Sequence, residues 1–149
     1  MLIKNELNNR MENYINDYSL ENELSLLPIN YTIDIALRNN DIIYDQMKSY
    51  NTERFINFIE NYEKGILDKI KITKFEIDSK ATTSILQFDG NIIQYTIDVS
   101  RFNTSEKYIT YFGHKMFSHT ECIHKKEFEV YYLITNKSNV VDVFVDLMQ

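Results

Sequence analysis

Glycine and proline are nearly missing from this chain. Its 149 residues hold three glycines, Gly65, Gly90 and Gly113, and one proline, Pro28. The glycines lie far apart, which excludes a phosphate-cradling loop, because both nucleotide fingerprints need clustered glycines for close backbone approach. No serine sits between spaced glycines, so there is no nucleophile elbow. Turn duty falls to the many asparagines, which tolerate left-handed backbone and cap helices. One cysteine, Cys122, excludes an intramolecular disulfide. No apolar run approaches the length needed to span a bilayer. The opening residues MLIKNELNNRMENYINDYS lack the continuous apolar stretch of a secretory signal. The expectation is a soluble, cytoplasmic protein with no membrane partner. Basic residues are outnumbered 16 to 22, for a net charge of -6. That argues against general nucleic-acid binding, which needs a basic surface.

What is present suits a globular domain. Apolar residues make up 44% and charged residues 26%, enough to bury a core, and the length fits one domain. Ile3, Leu7, Met11, Tyr14, Ile15 and Tyr18 step by three and four, which predicts an amphipathic helix over 2–18. Ser19 is placed to cap a short second helix reaching Leu27. Residues 29–38 fit a strand by alternation and a helix starting at Pro28, with the balance toward helix. A short strand is expected within Asp41–Met47. Asn51 or Thr52 caps a helix whose stripe is Phe55, Phe58, Ile59 and Tyr62, and Gly65 stands at its C-cap.

The remainder reads as sheet: Lys69–Ile77, then Ile85–Phe88 and Ile92–Val99 joined by an Asp89-Gly90 turn. Ser100–His119 is poorly patterned. Thr120–Lys126, Phe128–Thr135 and Val140–Leu147 complete the strands, the last with Val141, Val143, Val145 and Leu147 inward. Asp142 and Asp146 fall on its wet face, with Phe144 on their side. The expected fold is α+β, with N-terminal helices (residues 1–28) and an α+β unit (29–149). One central helix packs on a mostly antiparallel sheet of about five to six strands.

The middle of the chain runs NNDIIYD (39–45), NTERFINF (51–58), GILDKIKI (65–72), LQFDG (86–90), QYTID (94–98) and then Arg101-Phe102. This order resembles the domain of unknown function 4362 family, small proteins of Gram-positive bacteria, over roughly residues 32–135. Many members look secreted or lipid-anchored. The resemblance implies the fold and leaves function open, since no catalytic residue is established for the family. Beside the family, this chain is expected to be without the signal and the lipid-attachment cysteine. It keeps Cys122 where members have a Thr-Cys-Lys segment, but has Thr-Asn-Lys near 135–137 in place of the second cysteine. Beside that family it reads as an intracellular variant without the family disulfide.

Several constellations bear on chemistry. His114, His119, Cys122 and His124 hold all three histidines and the one cysteine in a single segment. Imidazole and thiolate are good zinc ligands, although the spacing matches no standard finger. On a strand over Thr120–Lys126, Cys122 and His124 would share a face. Carboxylates pair at Asp41 and Asp45, Asp89 and Asp98, and Asp142 and Asp146, as acid/base chemistry requires, but an acidic chain makes such pairs by chance. Arg101 following Asp98 reads first as a structural salt bridge and second as an anion contact. Lys69, Lys71 and Lys74 read as a solvated sheet face.

Eleven tyrosines and nine phenylalanines fill a core, and Tyr is also a typical interface residue. The candidate recognition residues are Tyr108, Tyr111, Phe112, Tyr131, Tyr132, Asp142, Asp146 and Arg101. No catalytic residue and no cofactor are expected. The functional expectation is a non-enzymatic module that sequesters another protein, as an inhibitor or immunity-type protein does. The alternatives are a metal or hydrolytic role for His114–His124 and a homodimer.

Overall fold

The computed structural model describes residues 19–46, 48–102 and 105–147. The helix expected over 2–18 lies outside them. Helices α1 (Ser19–Ser25) and α2 (Ile33–Arg38) come first, followed by strands β1 (Ile42–Asp45) and β2 (Lys48–Tyr50) and helix α3 (Thr52–Glu63). Six strands then run consecutively: β3 (Asp68–Phe75), β4 (Ala81–Phe88), β5 (Ile93–Asp98), β6 (Tyr108–Ile123), β7 (Lys126–Thr135) and β8 (Val140–Leu147). All join one sheet in the order β2-β1-β3-β4-β5-β6-β7-β8. Every neighbouring pair is antiparallel except β1 with β3, which are parallel. The α+β architecture stands, with eight strands among the described residues in place of five to six.

The ambiguous segment resolves to helix. Thr32 caps α2, its Oγ1 accepting the Ile35 N–H at 3.3 Å. Helix α3 ends as its sequence demands. Gly65, at φ +73°, lets its N–H reach the Tyr62 carbonyl while the Ile66 N–H bonds Asn61 O at 2.8 Å, the paired closure of a glycine-terminated helix. Asn51 stands at the N-cap, but its side chain turns away from the helix and donates to the Asp41 carbonyl at 2.8 Å.

The sheet curls until residues of β2 come close to β8. Helix α3 lies in the concave face, where Phe55 and Phe58 join Ile42, Ile70, Leu86, Ile93, Leu133 and Phe144 in the main core. Phe55 meets Tyr131 edge-on with ring centres 4.8 Å apart and Phe144 at 4.5 Å. The short helices cover the opposite face: α1 sets Leu20 and Leu24 on Ile85, and α2 sets Ala36 near Ile43, Phe75 and Ala81. Neighbouring β4 residues Ile85 and Leu86 therefore serve different cores, which is why β4 is buried on both sides.

Three local expectations are corrected. Strand β6 begins at Tyr108, inside the stretch read as unpatterned. Thr120–Lys126 is not a strand of its own: it is the end of β6, a two-residue turn at His124-Lys125, and the start of β7. Both turn residues have positive φ, 50° and 66°, the geometry that suits the twist of a hairpin. In β8, Phe144 is buried with Val143 instead of sharing the wet face. Tyr131 pairs with Phe144 and Tyr132 with Asp142, so a bulge at Val143 reverses the alternation.

Candidate functional site

The expected recognition residues do not form one surface. Tyr108 packs beside Leu20 and Leu24 of α1, and Tyr111 and Tyr131 lie half-buried against the main core. Phe112 is half-buried too, its carbonyl accepting the Asn136 N–H at 2.8 Å. Arg101 is an anchor: its Nη1 lies 3.3 Å from Asp98 Oδ2, with both side chains under a tenth exposed. Its Nε and Nη2 donate to the Ile29 and Pro28 carbonyls, and the guanidinium lies over the Tyr31 ring. Asp142 lines a cleft of about 260 Å³ between β8 and the β1–β3–β4–β5 face, with Tyr44, Lys74 and Tyr95.

A different surface emerges from the long β6–β7 hairpin. Strand β5 pairs with β6 only from Tyr108 to Gly113. Beyond that point, among the described residues, β6 has a strand partner on one side only, β7. The Tyr62 hydroxyl closes the first step of the open edge, donating to His114 O at 3.1 Å and accepting the Met116 N–H at 3.2 Å. With a period of two, the backbone groups of Ser118, Thr120 and Cys122 face the same way as that amide. The eight residues Met116–Ile123 form an arm of about 26 Å.

Each face of the arm carries its own chemistry. On one, Tyr132 stacks between Phe117 and His119, with ring centres at 5.0 and 4.9 Å. The Tyr132 hydroxyl donates to Glu121 Oε1 at 3.1 Å, and His119 Nε2 lies 2.7 Å from the same oxygen. Hydrogen bonds from His119 and Tyr132 hold the Glu121 carboxyl below its usual range. On the other face Glu129 stands directly opposite Asp146. Hydrogen bonds from Ser118 and Thr120 lower Glu129, while burial and the Glu129 charge raise Asp146. Like charges directly opposite across strands are destabilising. Phe117 (36% exposed) and Ile123 (48%) add apolar surface to the arm.

The histidine–cysteine segment is spread along this arm. His114 and His124 stand ten residues apart on the β6 hairpin arm, a span of about 33 Å in extended chain. His124 occupies the turn, so it does not share a strand face with Cys122. Among the described residues, no three His, Cys, Asp or Glu side chains are grouped to hold a metal ion.

The carboxylate that stands out chemically is Asp41, singled out in sequence only as one member of an acidic pair. Its Oδ2 accepts the Tyr31 hydroxyl at 2.5 Å and the Thr73 hydroxyl at 2.8 Å, and Thr73 continues to Thr83 Oγ1 at 3.1 Å. Asp41 is 1% exposed and its Oδ1 has no hydrogen-bond partner among the described residues. Burial raises its carboxyl above the ordinary range, against the two hydroxyl donors and the nearby Lys71 charge. Burial and the Asp41 hydrogen bond likewise push the Tyr31 hydroxyl up. A single Asp before Ile-Ile gives no sequence signal of this network, because its partners come from 10 and 32 residues away.

Among the described residues, no helix is long and apolar enough to cross a membrane. Comparison with protein-family models finds no match, and comparisons with curated proteins and with solved structures find none either.

Proposed function

We propose that the protein is a non-enzymatic binding module that sequesters a protein partner, in the manner of an inhibitor or immunity-type protein. One observation carries this reading: β6 runs past the end of β5 and presents an open strand edge. Such an edge recruits an extended segment of another chain through main-chain hydrogen bonds, with side-chain pockets setting specificity. Phe117, Tyr132 and Ile123 supply the aromatic and apolar anchors that dominate binding energy. The Glu129–Asp146 pair favours a partner with a Lys or Arg at the contact, since a cation there relieves the mutual repulsion. The net charge of -6 suits a basic partner, because opposite fields speed association. The membership in the domain of unknown function 4362 family is likewise a proposal, resting on the order of the short motifs.

The test is capture of partners from lysate of the host by the tagged protein, beside a Phe117→Ser/Ile123→Ser variant of equal melting temperature. A stoichiometric protein held by the wild type and lost by the variant supports the arm as the interface. Equal capture by both would remove the arm from the reading. A lane holding only the bait would turn it toward a small ligand.

A further inference from the structure

The end of β6, Phe117-Ser118-His119-Thr120-Glu121-Cys122-Ile123, complements itself when read in reverse. About Thr120 as centre, Phe117 mirrors Ile123, both apolar, and Ser118 mirrors Cys122, both small. His119 mirrors Glu121, and these two side chains already bond each other at 2.7 Å within the chain. An antiparallel pairing of the segment with a second copy of itself sets each residue opposite its mirror. The main chain agrees. Met116 N–H faces the open side of β6, where the Tyr62 hydroxyl takes it at 3.2 Å. With a period of two, Ser118, Thr120 and Cys122 turn their backbone groups outward, while Phe117, His119, Glu121 and Ile123 turn theirs to β7. The central residue of the segment thus carries an outward N–H and C=O, as a two-fold axis at that residue requires. Ser118, Thr120 and Cys122 are all exposed.

We propose that a second copy of this chain occupies the open edge of β6, antiparallel about a two-fold axis at Thr120. The two Thr120 residues exchange N–H and C=O, and Ser118 of each copy does the same with Cys122 of the other. On the face that carries Tyr132, each His119 stands beside the Glu121 of the other copy, and each Phe117 packs on its Ile123. On the opposite face only Ser, Thr and Cys side chains meet, small enough for the strands to close. The two Glu129 carboxylates there lie three strand spacings apart, about 14 Å, beyond the screening length of roughly 8 Å at physiological salt. The pairing ends where the edge does: Met116, whose amide Tyr62 holds, falls opposite the turn of the second copy. This inference rests on reading the same edge as the binding surface and names its regulation, since self-pairing is what an outside strand must displace.

Sedimentation equilibrium of the full chain at high micromolar concentration should give twice the chain mass of 17.8 kDa. In Thr120→Pro the lost N–H is the outward one, so pairing with β7 is kept. The axis bonds go, and association should weaken by about ten- to a hundredfold. If that variant does not fold, Thr120→Cys/Cys122→Ser carries the test. Opposed residues at position 120 have Cα atoms about 5.5 Å apart, within disulfide reach, so mild oxidation should link the copies covalently. The wild type should not link, because its two Cys122 residues stand four positions out of register, beyond the limit of about 7 Å. A monomer at every concentration overturns the proposal. So does a dimer that Thr120→Pro leaves intact, or one that oxidation links through Cys122 and not through the introduced thiol. None of these readouts needs a captured partner. A monomer that still captures protein through Phe117 and Ile123 removes the self-pairing alone. A dimer linked at position 120 that yields no captured protein upholds the self-pairing and removes the capture reading.

Discussion

Arg101 and Asp41 are two buried charges with opposite circumstances. Arg101 is satisfied on every side: one carboxylate, two carbonyls and an aromatic face receive it. It fastens the Pro28–Ile29 segment to the end of β5. Arg101→Ala leaves Asp98 without its counter-charge and should cost about 3 kcal/mol. A thermal melt should show this as a drop of roughly 6–12 °C, and the folded variant should still capture whatever the wild type captures. Lost capture at unchanged melting temperature would assign Arg101 to the interface instead. Asp41, by contrast, holds its carboxylate against burial. With its folded value raised above the ordinary 3.8, the native state binds a proton more tightly than the unfolded chain. Stability from this group therefore falls as pH rises through the window from about 3.8 up to the folded value. Asp41→Asn keeps an acceptor for Tyr31 and Thr73 and removes the titration. The stability gap between wild type and Asp41→Asn, followed by urea denaturation, should shift toward the variant as pH rises. A gap that does not vary with pH between 4 and 8 would mean that Asp41 does not titrate there.

At the scale of elements, legibility tracked how local each cause was. Helix α3 could be read from its stripe and from Gly65, because its cap and its 3.6-residue period are written in adjacent residues. Strand β6 could not, because half its length runs past β5 and neither of its faces there is regularly buried. The hairpin turn at His124-Lys125 has no sequence mark for a related reason: it is none of the Asn-Gly, Asp-Gly or Gly-Gly pairs that favour such turns. The bulge at Val143 likewise follows from pairing with β7, so the valine alternation misassigned Phe144. Of the candidate site, Tyr132 and the histidine segment were visible as residue types. The open edge that gives them meaning is a property of strand lengths, and Asp41 acquires its character from long-range partners. Gly113 marks the step where β5 ends and the arm starts. A Cβ there would overlap the Ile134 carbonyl oxygen and crowd Leu133. Gly113→Ala should destabilise by about 2–3 kcal/mol through overpacking, measured by denaturant midpoint, whereas Gly65→Ala meets no neighbour and suffers only backbone strain, about 1 kcal/mol. Equal costs at the two glycines would contradict the close approach of β6 to β7 at Gly113.

Over the whole molecule, the excess of acidic charge acts at distances longer than any contact. The association rate with a captured basic partner should fall severalfold between about 0.05 and 0.5 M salt, because screening shortens the reach of both fields. Stopped-flow rates that ignore salt would remove the electrostatic part of the proposed recognition. The curled sheet has another consequence, which concerns synthesis. Helix α3 is made before most of the strands, yet Phe55 rests on Tyr131 and Phe144, contributed by the last two strands. Strands β1 and β3–β5 supply only part of the surface that buries it. While the ribosome is still translating β7 and β8, the side of Phe55 that meets Tyr131 and Phe144 has no cover. That side of the core closes last, and a holding chaperone would find a target there on the nascent chain.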